Sequence, residues 1–348
     1  MISKKYRVIA VFTIANETPF KAGSNLLFDQ FGANIAAVAV KATFAMPENG
    51  ENAQIIEEQA DPLYAESYFD SPNNSGIRYP ADIVFAKKNT DIIVNGRVYS
   101  KNNKPVRRLR ASVQVGGCYK QIEAVGNRYW KKGLFPGFEI SKPQLFVKMP
   151  ITCSRIYGGS DTSKEGESVV FSPNPQGTGF IANKKSVQNT PLPNFEDPGQ
   201  RISKWKSRPR PATFGCAIPS AEHRIKFAGT YDENWQKTQC PLYPEDLDYR
   251  FFNSAQPELI ADGFLRGGEP VLLKHLSSSG KIEFRLPAYR IGFSLDLAGE
   301  VYYKQGSLYN VVLEPEKKRL YMTWGCGMEI GNQPAKLNNI KAGIENQA

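Results

Sequence analysis

The most constraining feature of this chain is a set of short runs in which apolar and polar residues alternate. Such runs include Ile35 to Phe44, Asp91 to Tyr99 and Arg110 to Val115, and further ones follow between Lys281 and Trp324. A period of two places successive side chains on opposite faces of a strand, and the Gly, Pro and Ser residues between the runs favour turns. We therefore predict a mainly β fold of antiparallel, sandwich-like sheets with few short helices.

Three local signals refine this prediction. The apolar run Val8 to Ile14 is not followed by a small-residue cleavage site, so we interpret it as a first strand rather than a signal peptide. Asn95-Gly96 accepts positive φ at low cost and could form either a bulge or a tight hairpin turn. Thr230 and Glu233 have the spacing of a capping box, which predicts a short helix directly after them.

Differences in composition and in strand pattern divide the chain into four regions. We expect an N-terminal β region at 1–135, a loop-rich aromatic region at 136–270, a C-terminal β meander at 271–330 that completes the sheets, and a loose polar tail at 331–348. Gly, Pro and Asn crowd the second region, and a long irregular segment inside a compact protein is usually functional or disordered. Its many aromatic residues favour order. Because loops on a rigid scaffold often carry binding, we predict that 136–270 is the contact surface for a partner.

The cysteines indicate the compartment. All five are scattered and none has CxxC spacing, a pattern typical of reduced thiols in a cytoplasmic protein. The two histidines lie far apart and have no neighbouring cysteine, so we expect no metal and no cofactor. No stretch approaches about twenty apolar residues, which excludes a membrane-spanning helix.

Positive charge raises the question of an acidic partner. The formal net charge is +10, and the densest basic stretch runs from Lys204 to Arg210 with Trp205 inside it. Phosphate neutralisation and base stacking could use such a stretch, and a nucleic-acid binder would lose affinity steeply with added salt. A solvated loop anchored by Trp205 in the core is the preferred interpretation, because charge runs commonly serve only as a solvated face.

The motif search finds no recognised catalytic arrangement, so we predict that the chain is not an enzyme. It has no Gly-x-Ser-x-Gly elbow and no phosphate-binding loop. We expect His223, among charged neighbours, at the surface, and His275 partly buried and hydrogen-bonded. The pair Glu196-Asp197 is interpreted as a turn cap. The alternative is a hydrolase whose groups gather from distant loops, namely Asp161, Glu196, Asp197 and Glu269.

Two segments share an unusual design, in which an arginine and an acid flank a glycine pair. In the first, Arg155 and Asp161 lie on either side of Gly-Gly, and in the second, Arg266 and Glu269 do so. Glycines permit backbone turns that are closed to other residues, and the charges could meet across them as hydrogen-bonded pairs. The sequence does not separate a structural network from a binding platform for these four residues.

Short motifs along nearly the whole chain carry a family resemblance: Asn16 to Phe20, Val40 to Phe44, Arg78 to Asp82, Thr90 to Gly96, Tyr157 to Asp161, Leu192 to Pro198, Gly229 to Trp235, Arg250 to Asn253 and Leu265 to Pro270. In order and spacing the chain resembles a bacterial family, formerly a domain of unknown function, that is encoded beside the VgrG and PAAR spike proteins of type VI secretion systems. The resemblance implies an adaptor or chaperone that helps a cognate effector join the PAAR/VgrG spike. It implies no catalytic residues.

An adaptor needs contact residues. Aromatic side chains and arginines are the types enriched at interface hot spots, so Tyr157, Trp205 and Trp235 are candidates wherever they prove exposed. The partners expected are an effector protein and the PAAR and VgrG spike proteins, with no specific nucleic acid.

Overall fold

The computed structural model describes residues 13–47, 50–72, 75–133, 137–164, 167–331 and 334–345. Residues 8–12 of the predicted first strand lie outside these ranges. The strands, in chain order, are β1 (Ile14–Asn16), β2 (Lys21–Phe28), β3 (Asn34–Ala45), β4 (Gln54–Ile55), β5 (Ser67–Tyr68), β6 (Ile77–Tyr79), β7 (Asp91–Val94), β8 (Arg97–Tyr99), β9 (Arg108–Val115), β10 (Cys118–Val125), β11 (Trp130–Lys132), β12 (Phe138–Ile140), β13 (Lys148–Pro150), β14 (Tyr157–Gly158), β15 (Ser160–Lys164), β16 (Glu167–Val170), β17 (Thr178–Gly179), β18 (Phe195–Glu196), β19 (Pro270–Lys274), β20 (Lys281–Arg285), β21 (Ile291–Leu297), β22 (Glu300–Gln305), β23 (Ser307–Glu314), β24 (Arg319–Glu329) and β25 (Leu337–Ile344).

Helix is scarce, so the prediction of a mainly β fold is confirmed. The α-helices of the described ranges are α1 (Glu222–Ile225) and α2 (Glu233–Thr238). The 3₁₀ helices are Lys101–Asn103, Cys153–Arg155, Lys184–Ser186, Tyr249–Phe252, Pro257–Leu259, Pro315–Lys317 and Pro334–Lys336. Within the residues described, none of these helices has the length and apolar character needed to cross a bilayer.

The cap of α2 differs from the prediction. Asp232 rather than Thr230 caps the helix, because the Asp232 carboxylate accepts a hydrogen bond from the backbone N–H of Trp235 at 2.8 Å. The Thr230 hydroxyl instead donates to the carboxylate of Asp246 at 2.8 Å. The helix itself was predicted in the right place.

Three larger sheets make the scaffold. The first has the order β2-β3-β24-β23-β7, with β4 added on β3. The second has the order β18-β10-β9-β19-β20, and the third β1-β25-β21-β22. Pairing in these sheets is antiparallel except for β1 with β25 and β7 with β23, which are parallel. The C-terminal strands complete sheets that N-terminal strands begin, as in the pairing of β24 with β3.

One hydrophobic core joins the three sheets. It includes Val38, Val40 and Phe44 from β3, Val113 from β9 and Phe293 from β21, all buried. Val38, Val40 and Phe44 share one face of β3, while Ala37 and Ala39 on its other face are buried in a separate small cluster with Ile83. Burial of such side chains is the main stabilising term, at roughly 25 cal/mol per Å² of apolar surface.

A network of charged side chains is buried beside this core. Lys41 Nζ lies 2.7 Å from Asp82, and Lys87 Nζ lies 2.8 Å from Asp91. Asn310 links the two pairs, because its amide nitrogen donates to Asp82 at 3.2 Å and its oxygen accepts from Lys87 at 2.6 Å. Lys41, Asp82 and Asp91 belong to three of the motifs that carry the family resemblance. These motif residues therefore hold the interior together.

Two local predictions are corrected by the topology. Asn95-Gly96 forms neither a hairpin turn nor a bulge, because β7 before it pairs in the first sheet while β8 after it pairs with β13. The prediction of a loose tail is wrong for Leu337–Ile344, which forms β25 between β1 and β21. Leu337, Ile340 and Ala342 are buried there.

The loop-rich region packs around Trp130, which lies in β11 of the N-terminal region. Trp130, Tyr157, Ile181, Val187 and Leu192 form a second buried cluster. Both α-helices and the two-stranded pairings β14 with β17 and β15 with β16 lie in this part of the chain. The aromatic residues of 136–270 thus order a largely irregular segment.

Candidate functional site

A groove with a volume of about 580 Å³ opens on the surface of the loop-rich region. Most of its lining residues come from 136–270, and they combine apolar side chains and prolines with basic residues and the acids Asp197, Glu222 and Glu258. We call it the proline groove; its lining includes Phe69, Ile77, Ile151, Ile156, Pro173, Pro209, Pro211, Pro257, Arg208, Arg210, Cys216 and His223. Binding sites are usually concave and combine apolar side chains with placed polar groups, as this lining does.

One wall of the proline groove is held by a buried amide. Asn174 Nδ2 donates to the carbonyl oxygens of Cys153 at 2.9 Å and Tyr157 at 3.1 Å. Gly158 and Gly159 follow with φ of +153° and +97°, and a Cβ added to Gly158 would lie 2.1 Å from the carbonyl oxygen of Asn174. The glycine pair therefore allows a backbone approach that other residues would block.

The rim of the proline groove carries exposed positive charge. Arg208 donates from Nη2 to the carbonyl of Ile181 at 2.5 Å and stacks over the Phe180 ring, 4.9 Å from its centroid. Arg210, also exposed, has its guanidinium 3.9 Å from the exposed carboxylate of Glu222. Arg208 is thus fixed by its neighbours, whereas Arg210 is available to a partner.

A thiol and an imidazole line the proline groove, and their protonation decides what chemistry they can do. Burial, with the carboxylates of Asp91 and Glu66 nearby, raises the pKa of the Cys216 thiol to about 12. Burial also lowers the pKa of His223 below its ordinary value. Nucleophilic cysteines need the opposite shifts, a depressed thiol pKa beside a basic or protonated histidine. Within the described ranges no three His, Cys, Asp or Glu side chains are placed to hold a metal ion.

His223 itself corrects a prediction. It is half-buried rather than at the surface, and its Nε2 lies 3.1 Å from the carbonyl oxygen of Ala255. The cause is the buried Arg224 beside it, whose guanidinium donates to Ala217 and Glu66 and so draws α1 against the body of the protein. His275 is partly buried and its Nδ1 lies 3.2 Å from the carbonyl of Tyr99, as predicted.

Thiol reactivity should follow these pKa shifts. At pH 8 we expect iodoacetamide to modify the exposed Cys240 at least about tenfold faster than Cys216 or the buried Cys326, because only the thiolate reacts and burial raises the pKa of both slow thiols to about 12. Peptide mass spectrometry over a time course measures the three rates. Modification of Cys216 as fast as Cys240 would contradict this and would favour an activated nucleophile in the proline groove.

The first arginine and acid pair flanking a glycine pair has separate partners. Arg155 Nη1 donates to Asn194 Oδ1 at 2.9 Å. The buried Asp161 carboxylate accepts from the backbone N–H groups of Ala182 at 2.8 Å and Asn183 at 2.9 Å. Asp161 therefore orders the distant turn at Ala182 and Asn183, while Arg155 lines a separate cavity.

The second pair closes a turn. Glu269 Oε1 accepts from the backbone N–H of Arg266 at 2.8 Å, while the Arg266 side chain is exposed. Gly267 and Gly268 have φ of +88° and +84°, and a Cβ added to Gly267 would lie 2.5 Å from the carbonyl oxygen of Pro287. The carboxylate thus bonds to backbone rather than to the guanidinium, and the structure places this pair outside the proline groove.

The aromatic candidates are anchored rather than free. Tyr157 is buried and donates from its hydroxyl to the carbonyl of Ser207 at 3.0 Å. Trp205 is half-buried against the second cluster, and half-buried Trp235 donates from Nε1 to the carbonyl of Leu242 at 3.0 Å. The three do not meet in one site. Phe69, which sequence reasoning did not single out, is 48% exposed and lines the proline groove.

The carboxylates considered for hydrolysis are held in structural contacts. Glu196 lies 2.7 Å from Arg128 with both side chains buried, and it also accepts from the backbone N–H of Ile202 at 3.1 Å. Asp197 accepts from the backbone N–H of Gly199 at 2.7 Å. Asp197 is thus the turn cap that the sequence predicts.

Comparison with known proteins gives one match. A model of an uncharacterized protein family conserved in bacteria, DUF2169, matches residues 31–325. No curated protein and no solved structure matches the chain.

Proposed function

The chain belongs to the DUF2169 family, and on that premise we propose that it is a type VI secretion adaptor or chaperone that helps a cognate effector join the PAAR/VgrG spike. The proline groove is the observation that carries the proposal, since it offers a concave surface of mixed apolar and polar groups, with the exposed Phe69, Arg208 and Arg210 in its lining. The order and spacing of the family motifs along the chain support the same role. Loading of cargo before export places the protein in the cytoplasm.

The composition of the proline groove suits a protein segment as ligand. Aromatic residues and arginines are enriched at interface hot spots, and the exposed Phe69 and Arg210 are of these types. Its apolar floor, with Ile151 and Ile156, would bury apolar side chains of the partner. The net charge of +10 favours association with an acidic partner through electrostatic steering.

Deletion of the gene tests the role directly. We expect secretion of the effector encoded next to it to be lost, while secretion of an unrelated Hcp or VgrG cargo continues. Immunoblotting of culture supernatants measures both. Unchanged secretion of every neighbouring cargo, with no effector or spike protein co-purifying, would remove the adaptor proposal and favour the hydrolase hypothesis instead.

A charge reversal tests the surface. We expect Arg210→Glu to reduce co-purification of the effector encoded next to the gene, or of its PAAR-bearing carrier, by about tenfold or more. The new carboxylate at the rim of the proline groove would repel an acidic partner. Arg290→Glu is the matched control, since Arg290 is also exposed but does not line the proline groove. Equal retention of the partner by both variants would show that the contact surface lies elsewhere.

A further inference from the structure

A second cavity lies on the other side of the 3₁₀ helix Cys153–Arg155. Its volume is about 660 Å³. We call it the arginine pocket; it is lined by Asn127, Arg128, Tyr129, Gln144, Ser154, Arg155, Thr178, Asn189, Pro191, Leu192 and Asn194. Cys153 and Ile156 line the proline groove, while Ser154 and Arg155 line the arginine pocket. The charged residues of this lining are Arg128 and Arg155, and both are cationic.

Arg128 supplies buried donors that have no partner among the described residues. Its side chain is 1% exposed and its Nη2 lies 2.7 Å from Glu196. Its Nε and Nη1 form no hydrogen bond with the residues that the structure describes. A buried donor left unpaired costs about 1–3 kcal/mol, more when it is charged. Burial lowers the pKa of Arg128 in spite of the Glu196 carboxylate, which means that an additional anion would stabilise its charge.

Arg155 adds a second guanidinium that is held in place by amides. Its Nη1 donates to Asn194 Oδ1 at 2.9 Å, and Asn194 Nδ2 in turn donates to Asn127 Oδ1 and to the carbonyl of Val125, each at 3.0 Å. These partners are uncharged, so the charge of Arg155 is not neutralised by them. Guanidinium groups bind carboxylates with strong, directional hydrogen bonds.

The rim of the arginine pocket suits an extended peptide. Tyr129 is 46% exposed, and Leu145, next to the lining residue Gln144, is 56% exposed. Tyr129, Gln144 and Asn189 are all exposed, so their polar groups are accessible to a ligand. Amide side chains of this kind can pair with the N–H and C=O groups of a bound peptide.

We infer that the arginine pocket binds a carboxylate of an extended peptide segment, with Arg155 donating to the carboxylate, the buried charge of Arg128 attracting the same anion, and the amide and tyrosine side chains facing the peptide backbone. The source of the peptide rests on the proposed function: the acidic segment belongs to the effector or to its PAAR carrier. The positive net charge of the chain favours such a partner.

Immobilised pentapeptide pools test this inference. Three pools are compared. The first has glutamate at the centre, an acetylated N-terminus and an amidated C-terminus. The second has glutamine at the centre with the same blocked ends, and the third is the glutamine pool with a free C-terminal carboxylate. We expect the full chain to bind the glutamate pool, the free-carboxylate pool or both at least about tenfold more tightly than the amidated glutamine pool, since a charge-assisted hydrogen bond is lost there. The two carboxylate pools distinguish a side-chain acid from a chain terminus. Biolayer interferometry measures retention.

Two arginine variants assign the binding to the pocket. The Arg155→Gln variant should bind the carboxylate-bearing pools no more tightly than it binds the amidated glutamine pool. Arg285→Gln should bind as the unsubstituted chain does, because Arg285 is exposed, donates to the carbonyl of Gly268 at 2.8 Å and lies outside the arginine pocket. Equal binding of all pools, or full binding by Arg155→Gln, would overturn the inference. Displacement by inorganic phosphate at constant ionic strength, as efficient as by free glutamate peptide, would also overturn it in favour of a small-anion site.

The secretion assay separates this inference from the proposed function. If gene deletion abolishes effector secretion while Arg155→Gln secretes normally and no pool is bound selectively, the pocket inference fails and the adaptor role stands. If the pools identify Arg155 but deletion changes no secretion, the pocket is a peptide site and the adaptor role fails.

Discussion

Asp91→Ala is expected to lower the free energy of unfolding by about 3–5 kcal/mol, because it leaves the buried ammonium of Lys87 without its counter-charge. The Asp91 side chain is 0% exposed and that of Lys87 is 2% exposed, so water cannot replace the lost partner. The same carboxylate accepts from Ser254 N at 2.7 Å and Asn253 Nδ2 at 2.9 Å, so Ser254 N loses its acceptor and Asn253 Nδ2 keeps only the carbonyl of Asn89. Scanning calorimetry and denaturant titration measure the loss.

An exposed pair provides the matched control. Lys237→Ala breaks the ion pair with Glu233, whose atoms are 3.3 Å apart on the surface of α2, and should cost only about 0.3–0.5 kcal/mol. The double variant Lys87→Met with Asp91→Ala should lose less unfolding free energy than the two single variants together. Each single variant leaves one unpaired buried charge, whereas the double variant leaves none. A loss for Asp91→Ala as small as that for Lys237→Ala would mean that the buried network does not stabilise the core.

Gly158→Ala is expected to destabilise the protein by about 3 kcal/mol or more. Overpacking costs about 1–3 kcal/mol and an alanine held at an unfavourable φ costs about 1–3 kcal/mol in addition. Here the new Cβ would lie 2.1 Å from the carbonyl oxygen of Asn174, so the backbone must shift and the hydrogen bonds of Asn174 across the proline groove are disturbed. Thermal melting followed by circular dichroism measures the effect.

Gly117→Ala is the control for this change. A Cβ added at Gly117 meets nothing within 4 Å, and its φ lies outside the range that L side chains rarely adopt. We expect a change within about 0.5 kcal/mol, as for most surface substitutions. If Gly158→Ala were as stable as Gly117→Ala, the close approach of the two backbones would not be a requirement of the fold.

Period-two patterns predicted strands such as β20, where burial alternates along the strand, whereas β3 and β7 are buried on both faces, so their β-branched and apolar content rather than alternation marks them as strands. The strand Leu337–Ile344 was missed because its buried residues are Leu337, Ile340 and Ala342, and a register shift opposite Leu297 breaks the period. A strand with such an irregularity, which contains two Asn, one Lys and one Gly in eight residues, has the composition of a loop. Pairing with β1 and β21 overrides that local signal.

The candidate sites could likewise be predicted only in part from the sequence. The basic segment with Arg208 and Arg210 was evident from composition, and it lies at the proline groove. Arg128 and Tyr129 gave no local signal, because what makes Arg128 unusual is burial against Glu196, 68 positions later in the chain. Concavities assembled from distant loops, such as the arginine pocket, depend on contacts that no short motif encodes.

The pairing of β3 with β24 has a consequence for synthesis on the ribosome. Phe44 and Leu320 are paired residues, so β3, an inner strand of the first sheet, has no partner on its β24 side until roughly 275 further residues are made. At about 5–20 residues per second this interval is roughly 15–60 s, during which the apolar edge of β3 is open to aggregation. Fragments that stop before β24 keep that edge permanently open, so dissection of this protein calls for point substitutions in the full-length chain rather than truncations.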